Sequence, residues 1–300
     1  MKIFLTGASG YLGGVLAEHF LAAGHSVSAL ARSDAARDKV TRLGAEAVSG
    51  SLTDLDVLRQ AAAAADAVVH AAVDFADPAM RQVEEPALAA MLAGLEPGKP
   101  FVYTSTGLVY PDTQGAPVDE EVAVELESSA QPYKVLGERQ VLAAEGPAVT
   151  VIRAALIYGR GGTALLQGMI AGARERGAAV YIGDGQNAWS SVHVDDLARL
   201  YLAALTESRD RLVVNAAGPA RTSMRQIAEA VAELTGTAAV SITVEQARSA
   251  LGPYADVLLR SSPLDASRAA RELGWKPGEA DLVEDLRAGS YTAGTGVSAG

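Results

Sequence analysis

The amino-acid sequence predicts an α/β protein built on a Rossmann-type, doubly wound parallel sheet. Short apolar runs alternate with helical stretches from residue 2 to about residue 153, and a glycine-rich turn follows the first run. The runs are continuously apolar, as in strands that are buried on both faces. Alternation of this kind gives parallel strands with right-handed crossovers. We therefore expect a larger region at 1–158 that contains the sheet, and a smaller C-terminal region at 159–291.

The predicted elements follow in order along the chain. Strands are expected at Lys2–Thr6, Ser26–Ala31, Ala45–Ser49, Ala67–Ala71, Phe101–Ser105 and Val149–Arg153. Helices are expected at Leu12–Ala23, Ala35–Leu43, Leu55–Ala64, Asp77–Ala93 and Gln131–Ala144, and Pro86 is expected to break or kink the fourth. Beyond residue 153, glycines punctuate the sequence. We expect the smaller region to lie over the strand ends, with strands at 213–215 and 240–244 returning to extend it, and a flexible tail at 292–300.

Composition excludes several classes of protein. The formal net charge of -11 argues against a nucleic-acid-binding protein, because a phosphate-binding surface needs an excess of basic residues. The sequence has no cysteine, which excludes disulfides and thiolate catalysis, and its four histidines show no paired metal-ligand spacing, so no metal site is expected. No apolar run reaches membrane-spanning length. Because the first strand begins at residue 2, we expect no signal peptide and a cytoplasmic location.

The turn after the first strand predicts a binding site for a dinucleotide pyrophosphate. Gly7, Gly10 and Gly13 are spaced by three between a strand and a helix. Gly7 allows the tight turn, Gly10 lets a diphosphate approach the backbone, and Gly13 lets the helix pack closely on the sheet. The diphosphate would meet free N–H groups at the helix N-terminus. Further cofactor-binding residues expected in this segment are Ser9, Tyr11 and Leu12.

The end of the second strand predicts which dinucleotide binds. In this fold an acidic residue at that position holds the ribose 2′-hydroxyl of NAD. Here Ala31 takes the place of the acid, and Arg32 and Ser33 follow. A guanidinium and a hydroxyl suit a 2′-phosphate. We therefore expect NADP(H) rather than NAD(H), although Asp34 lies close enough to complicate the choice.

Several segments together resemble the extended or atypical branch of the short-chain dehydrogenase/reductase superfamily, of the NAD-dependent epimerase/dehydratase type. The matching segments are TGASGYLG (6–13), HAA (70–72), YTSTGLVY (103–110), RAALIYG (153–159), VHVDDLA (192–198) and RELGWKP (271–277). They occur in the family's order and extend over nearly the whole chain. Members of the family often dimerise through the fourth and fifth helices, so the resemblance suggests a homodimer.

The resemblance also implies cofactor contacts outside the glycine turn. They are Ser51 and Leu52 beside the adenine; Ala71, Ala72 and Val73 under the phosphates and ribose; Ala154, Ala155, Leu156 and Ile157 past the nicotinamide carboxamide; and Thr104. Two of these positions depart from the family pattern. The family often has an acidic residue where Ser51 stands, and commonly has proline at Ala154.

The family's catalytic groups are a Ser or Thr hydroxyl, a Tyr, and a Lys four residues after the Tyr on one helix. The Lys binds the cofactor ribose and lowers the pKa of the Tyr, which transfers the substrate proton. The resemblance places Thr106 and Lys134 in two of these roles. Four residues before Lys134 stands Ala130, which cannot transfer a proton.

Two sources of the missing proton are open. Tyr133 is adjacent to Lys134, and adjacent helical residues point about 100° apart, so Tyr133 cannot simply replace the usual tyrosine. A helix that starts later would bring Tyr133 to the site by a different backbone path, and Pro132 favours such a start. Alternatively, the proton comes from Tyr110, Tyr158, His193 or water.

Chain position predicts the substrate contacts, which are Thr106, Leu108, Tyr158, Trp189 and His193. No dense basic pocket is visible, which favours a small carbonyl or imine compound over a nucleotide sugar. The leading hypothesis is an NADP(H)-dependent oxidoreductase that transfers hydride to or from such a compound. Two alternatives stay open. Ala130 counts against a nucleotide-sugar epimerase or dehydratase, and it supports a non-catalytic NADP(H)-binding regulator or redox sensor.

Overall fold

A computed structural model of the protein describes residues 1–73, 79–207 and 209–292. The strands are β1 (Lys2–Thr6), β2 (Ser26–Ala31), β3 (Glu46–Ser49), β4 (Ala67–His70), β5 (Pro100–Thr106), β6 (Ala148–Ala154), β7 (Leu156–Tyr158), β8 (Ala178–Ile182), β9 (Ala188–His193), β10 (Leu212–Ala216), β11 (Arg221–Ser223) and β12 (Ala238–Ile242). The helices are α1 (Tyr11–Ala22), α2 (Asp34–Arg42), α3 (Leu55–Ala63), α4 (Met80–Gly94), α5 (Pro132–Ala143), α6 (Ala164–Arg176), α7 (Val194–Glu207), α8 (Met224–Thr235), α9 (Val244–Leu251), α10 (Tyr254–Leu258), α11 (Ser267–Leu273) and α12 (Leu282–Ala288).

Seven parallel strands form the central sheet in the order β10-β6-β5-β4-β1-β2-β3. The part of this order from β3 to β6 is that of the Rossmann fold, so the predicted fold class is confirmed. The strand predicted at 213–215 is β10, which pairs with β6 at the edge of the sheet. The chain therefore returns to the central sheet after it has begun the C-terminal region.

Helices bury both faces of the central sheet. On one face, Leu16 and Phe20 of α1 and Tyr201 of α7 are fully buried. On the other face, Leu58 of α3 and Leu88 of α4 are fully buried in a second core. Successive residues of a strand point to opposite faces, so each strand contributes to both cores. This arrangement explains why the strands are continuously apolar in sequence.

Of the predicted break or kink at Pro86, the break is wrong, because helix α4 continues from Met80 to Gly94 through this residue. Pro86 has no N–H to donate to the carbonyl of Gln82. It lies on the exposed side of α4, whereas Ala87, Leu88 and Met91 are buried against the second core. Packing of this apolar face offsets the single missing hydrogen bond. The first two residues of the helix predicted at 77–93 lie outside the described residues.

The C-terminal region contains two small sheets. One has the strand order β11-β9-β7, and the other pairs β12 with β8. The strand predicted at 240–244 is β12, which belongs to the second of these sheets and not to the central sheet. The tail predicted at 292–300 lies outside the described residues except for Thr292. No helix in the described part of the chain is long and apolar enough to cross a membrane.

A buried chain of polar side chains joins α5 to β6 and β10. Arg153 of β6 donates to Glu138 of α5, with 2.7 Å between Nη2 and Oε2, and to the Tyr110 hydroxyl at 2.7 Å. Tyr110 donates in turn to Oδ1 of Asn215 at 2.9 Å. Ser105 donates to the other carboxylate oxygen of Glu138. The Arg153–Glu138 ion pair is almost fully buried, so removal of either side chain would leave the charge of the other buried without a partner.

Replacing Arg153 tests this dependence. We expect Arg153→Met to lower the free energy of unfolding by about 3–5 kcal/mol, because it leaves the Glu138 carboxylate buried without its partner. Arg139→Met is the matched control, because Arg139 forms an exposed ion pair with Glu125 that should contribute at most about 1 kcal/mol. Urea unfolding of both variants measures the difference. Equal losses in the two variants would show that the buried pair is not a determinant of stability.

Candidate dinucleotide-binding and catalytic site

Two glycines of the turn after β1 are required by close backbone packing. Gly7 has φ +84°, a conformation that favours glycine, and a Cβ placed on it would lie 2.8 Å from the backbone of Ala71. A Cβ on Gly13 would overlap the carbonyl of Gly7. The first turn of α1 therefore lies directly on the β1 turn, as the sequence predicts. Together these contacts hold the N-terminus of α1 at the carboxyl end of the sheet.

Gly10 is less enclosed than Gly7 and Gly13 on the same turn. A Cβ on Gly10 would meet a single atom within 4 Å, the Gly7 carbonyl oxygen at 3.3 Å. Gly10 is the N-cap of α1 and no side chain caps this helix, so its first-turn N–H groups stay available to an anion. Tyr11 closes one side of the turn, since its hydroxyl donates to the Gly159 carbonyl at 2.6 Å. The turn from Gly7 to Gly10 and the N-terminus of α1, which we call the cradle, therefore suit a diphosphate.

The ends of β1 and β4 are joined through the hydroxyl of Thr6. Its Oγ1 accepts hydrogen bonds from the backbone N–H groups of Ala71 and Ala72, both at 3.2 Å. This contact holds the segment 71–73 beside the glycine turn, where the cofactor phosphates and ribose are predicted. Val73, the third predicted contact, is 39% exposed.

Arg32 lies exposed at the end of β2. It makes no hydrogen bond or ion pair with any residue of the described chain. Ser33 caps α2 by accepting from the Ala36 N–H at 3.2 Å, so the proton of its hydroxyl can still be donated. Asp34, which complicated the choice of cofactor, forms an ion pair with Arg37 at 3.1 Å. The guanidinium of Arg32 is therefore free to bind an anion.

Asp54 supplies an acidic group at the end of β3 that the sequence analysis missed. Its Oδ2 accepts from the backbone N–H of Ser51 at 2.7 Å and from the Ser51 hydroxyl at 2.8 Å. These two bonds, the backbone one first, lower the pKa of the Asp54 carboxyl. Leu52 packs at the edge of the second core. The S-x-x-D spacing was the available signal, because an aspartate three residues on can bond back to a serine.

The segment after β5 brings Thr106 and Ala130 to one place. The Thr106 hydroxyl accepts from the Leu108 N–H at 3.2 Å. The Leu108 carbonyl accepts from the Ala130 N–H at 3.1 Å, and Ser129 donates to the same oxygen at 3.3 Å. Thr104 points elsewhere, because its hydroxyl is bonded to that of Tyr201 at 2.6 Å. Ala130 therefore lies beside the Thr106–Leu108 turn, two residues before α5 begins.

Lys134 is buried and paired with Glu84, a residue that the sequence analysis missed. The Lys134 ammonium donates to Oε1 of Glu84 at 2.7 Å, and Lys134 is only 3% exposed. Burial alone would raise the pKa of Glu84, but Lys134 and His70 outweigh it and the pKa is lowered. The pair is therefore a carboxylate and an ammonium. No local motif marks Glu84, because the contact joins α4 to α5 across fifty positions of sequence.

Tyr133 lies next to this ion pair with an unsatisfied hydroxyl. Its ring centroid is 5.4 Å from the Lys134 ammonium, and its buried hydroxyl has no hydrogen-bond partner among the described residues. Burial, and then Glu84, raises the pKa of Tyr133. This is opposite to the lowering that the resemblance implies for a catalytic tyrosine. Helix α5 begins at Pro132, as the alternative of a later helix start requires.

The other side chains proposed as proton donors are engaged elsewhere. The Tyr110 hydroxyl lies between Arg153 and Asn215, and burial, opposed by Arg153, raises its pKa to about 12. The Tyr158 hydroxyl donates to the Ala280 carbonyl at 2.6 Å. The ring of His193 packs edge-on against Tyr158, with 5.3 Å between centroids. These environments favour packing roles for all three side chains.

Trp189 contacts a further unpredicted residue, Arg260, which lies close to the loop that carries Ala130. The Trp189 indole donates to the Arg260 carbonyl at 2.8 Å, and the Arg260 guanidinium donates to the Ser128 carbonyl at 2.8 Å. Arg260 therefore connects the C-terminal region to the end of the 110–131 loop. Ala155 to Ile157, predicted beside the nicotinamide, follow β6, and the Ala155 N–H donates to the Ala216 carbonyl at 2.9 Å. No group of three or more His, Asp or Glu side chains in the described ranges could hold a metal ion.

Comparison with known proteins agrees with this geometry. Residues 3–217 match the model of the NAD dependent epimerase/dehydratase family. An uncharacterised protein of Saccharomyces cerevisiae is 30% identical over 96% of this chain and 98% of its own length. A ketoreductase of Stigmatella aurantiaca, which acts on 4-hydroxy-2-methyl-3-oxo-4-farnesyl-3,4-dihydroquinoline-1-oxide, is 32% identical over 68% of this chain and 64% of its own. The UDP-glucose-4-epimerase of Stenotrophomonas maltophila, solved with bound NAD, superposes with a TM-score of 0.78 at 19% identity, and 97% of each chain is covered.

The Rossmann order of the strands and the open glycine turn define a protein that binds a nicotinamide dinucleotide. The chain belongs to the NAD-dependent epimerase/dehydratase family, within the extended short-chain dehydrogenase/reductase superfamily. Its relatives include reductases, and its fold is that of an oxidoreductase of this family.

A methyl group on Gly10 tests the cradle. Gly10→Ala should weaken dinucleotide binding by about tenfold or more with only a small change in thermal stability, because the Cβ would lie on the side of the turn proposed for the diphosphate and would meet the protein at the Gly7 carbonyl oxygen alone, at 3.3 Å. The matched control is Gly14→Ala, whose Cβ would make ordinary contact with the Ala8 carbonyl at 3.5 Å and would stabilise the helix by about 0.5–1 kcal/mol. Fluorescence titration with NADPH and NADH gives the dissociation constants. Wild-type affinity in Gly10→Ala would contradict this placement of the diphosphate.

Proposed function

We propose that the protein is an NADP(H)-dependent oxidoreductase that transfers hydride to or from a small carbonyl- or imine-type compound. The observation that carries the proposal is the free guanidinium of Arg32 at the end of β2, beside a glycine turn that is open to a diphosphate. Arg binds phosphate in a two-pronged geometry that a ribose hydroxyl cannot match. Ser33 adds a hydroxyl donor to the same place. An acidic residue, which would favour NAD, is absent from position 31.

Thr106 and Lys134 are the groups proposed at the reaction centre. The Lys134 ammonium gives one of its three N–H groups to Glu84 and keeps the others for the hydroxyls of the cofactor ribose. The Thr106 hydroxyl accepts from Leu108 and can donate its proton to a substrate carbonyl oxygen. Bound NADPH would supply the hydride. The proton that completes the reduction would come from Tyr133, whose hydroxyl lacks a partner, or from water.

A ketone is the favoured substrate class among carbonyl compounds. The relative from Stigmatella aurantiaca, which matches 68% of this chain, is a ketoreductase. The substrate contacts proposed for this chain are Leu108 and Trp189, whereas the rings of Tyr158 and His193 pack against each other. A nucleotide-sugar epimerase or dehydratase is less well supported, because it needs a strong proton-transfer group where Ala130 stands.

A second candidate function is a regulator or redox sensor that binds NADP(H) without turnover. The observation that favours it is Ala130, together with a Tyr133 whose pKa is raised by burial and by Glu84. Such a protein would need the cofactor cradle and Arg32 but no proton donor. The two candidates therefore agree on the cofactor and differ on catalysis.

Removal of the Arg32 guanidinium tests the cofactor. Arg32→Ala should raise the dissociation constant of NADPH by about ten- to a hundredfold and leave that of NADH nearly unchanged, because only NADPH carries the 2′-phosphate. Arg37→Ala, which removes a neighbouring arginine that is paired with Asp34, should change neither constant. Titrations at one fixed ionic strength measure both constants. Equal wild-type affinity for NADPH and NADH, unchanged in Arg32→Ala, would sink the assignment.

Turnover separates the two candidate functions. The protein should oxidise NADPH with at least one member of a panel of aldehydes, ketones, imines and enones, followed by the loss of NADPH absorbance. Thr106→Ala and Lys134→Ala should each lower the rate by about a hundredfold. Tyr133→Phe, compared with the exposed control Tyr254→Phe, tells whether Tyr133 or water gives the proton. No turnover, with one NADPH bound tightly per chain, would favour the regulator.

A further inference from the structure

A buried cluster of polar side chains lies between α4, α5 and the carboxyl ends of β1, β4 and β5. At its centre is Glu84, which is 2% exposed. Its Oε1 accepts from the Lys134 ammonium at 2.7 Å and from the Tyr103 hydroxyl at 3.2 Å, and it lies 3.5 Å from Nε2 of His70. His70 in turn contacts Thr6, with 2.8 Å between Nδ1 and Oγ1. The proposed function uses Lys134 but assigns nothing to Glu84.

The direction of each hydrogen bond in the cluster can be deduced. The Thr6 oxygen already accepts from the N–H groups of Ala71 and Ala72, which occupies both of its lone pairs. Its own proton must therefore go to Nδ1 of His70, and a neutral His70 then carries its proton on Nε2, facing Glu84. Complete burial lowers the pKa of His70, so the ring is neutral. The Lys134 ammonium and the Tyr103 hydroxyl thus donate to the Glu84 carboxylate, and Nε2 of His70 faces it at 3.5 Å without a hydrogen-bond partner among the described residues.

Glycine in α5 makes room for this arrangement. A Cβ on Gly137 would overlap the Tyr103 hydroxyl, so only glycine there lets Tyr103 lie under α5 and reach Glu84. Stability alone does not account for the cluster, because buried ion pairs can often be replaced by apolar side chains without loss. What the cluster does provide is position. Through Glu84, His70 and Thr6, the cluster lies between the lysine predicted at the ribose and the Ala71–Ala72 backbone predicted under the phosphates.

We propose that Glu84 is a positioning residue for cofactor binding, which holds the Lys134 ammonium charged and in place for the nicotinamide ribose. His70 lies between this carboxylate, 3.5 Å from its Nε2, and the Thr6 hydroxyl, 2.8 Å from its Nδ1. The proposal rests on the proposed binding of a nicotinamide dinucleotide at this site. Glu84 touches neither cofactor nor substrate, so its effect is exerted through Lys134.

The test is the pH dependence of NADPH affinity in Glu84→Gln. Among the described residues, the titratable groups that face the Lys134 ammonium are Glu84 from α4, His70 from β4, Tyr103 from β5 and Tyr133 from α5. Without Glu84 none of them is an anion at neutral pH, and burial then favours the uncharged amine. We expect the dissociation constant of NADPH to rise about tenfold at about pH 7 and further toward about pH 9, whereas the wild-type constant stays level over that range.

Glu85→Gln is the matched control. Glu85 is the next residue of α4, its side chain is exposed, and only its backbone carbonyl is used, by Gln140. It should bind NADPH like the wild type at every pH. A merely structural role for Glu84 would lower the melting temperature without changing the pH profile. Wild-type affinity and a level profile in a folded Glu84→Gln would overturn the proposal.

A double variant keeps the test decisive if Glu84→Gln does not fold. Glu84→Gln combined with Lys134→Gln removes both charges at once, so no unpaired ion is left buried. It should fold, bind NADPH weakly and show no pH dependence over the same range. Wild-type affinity in this folded variant would overturn the proposal. If the proposed function is wrong, the wild-type protein will bind neither NADPH nor NADH, and both proposals are overturned. If only the proposal about Glu84 is wrong, the wild-type protein will bind NADPH and a folded Glu84→Gln will bind it equally well.

Discussion

One face of α5 determines where the polar groups at the carboxyl ends of the sheet can lie. Lys134, Gly137 and Glu138 are spaced so that all three point toward the sheet. Lys134 pairs with Glu84 of α4, Glu138 pairs with Arg153 of β6, and Gly137 between them admits the Tyr103 hydroxyl. A buried ion without a partner costs several kcal/mol. Neither α4 nor α5 can therefore rotate or slide without leaving a charge unpaired. The side chains that these helices contribute to the site are held in place for the same reason.

The cofactor end of the site could be predicted from sequence because its determinants are local. Gly7, Gly10 and Gly13 act through backbone geometry within a few residues, and the strand and helix on either side are recognisable from periodicity. The same holds for Arg32, whose place follows from the end of β2. Strand and helix ends from β1 to β6 agree with the predicted bounds to within a few residues, since apolar runs buried on both faces leave little freedom.

The catalytic end could not be predicted in the same way because its partners are distant in sequence. Glu84 looks like an ordinary helical glutamate, and only the packing of α4 against α5 makes it the counter-ion of Lys134. The same distance hides the Ala280 carbonyl that binds the Tyr158 hydroxyl. The break predicted at Pro86 was wrong for a related reason. The low helix propensity of proline is outweighed by the burial of the opposite face of α4.

The Glu84–Lys134 pair also offers a physical explanation for an alanine, and not a tyrosine, at position 130. In the resemblance, the lysine lowers the pKa of a tyrosine one turn earlier, and this requires a net positive charge near the phenol. Here a carboxylate 2.7 Å from the ammonium offsets that charge, and this carboxylate adds to the effect of burial in raising the pKa of Tyr133. A lysine compensated in this way can still donate hydrogen bonds to a ribose but cannot activate a phenol. In the proposed function Lys134 therefore holds the cofactor and does not drive proton transfer, which agrees with an alanine at position 130.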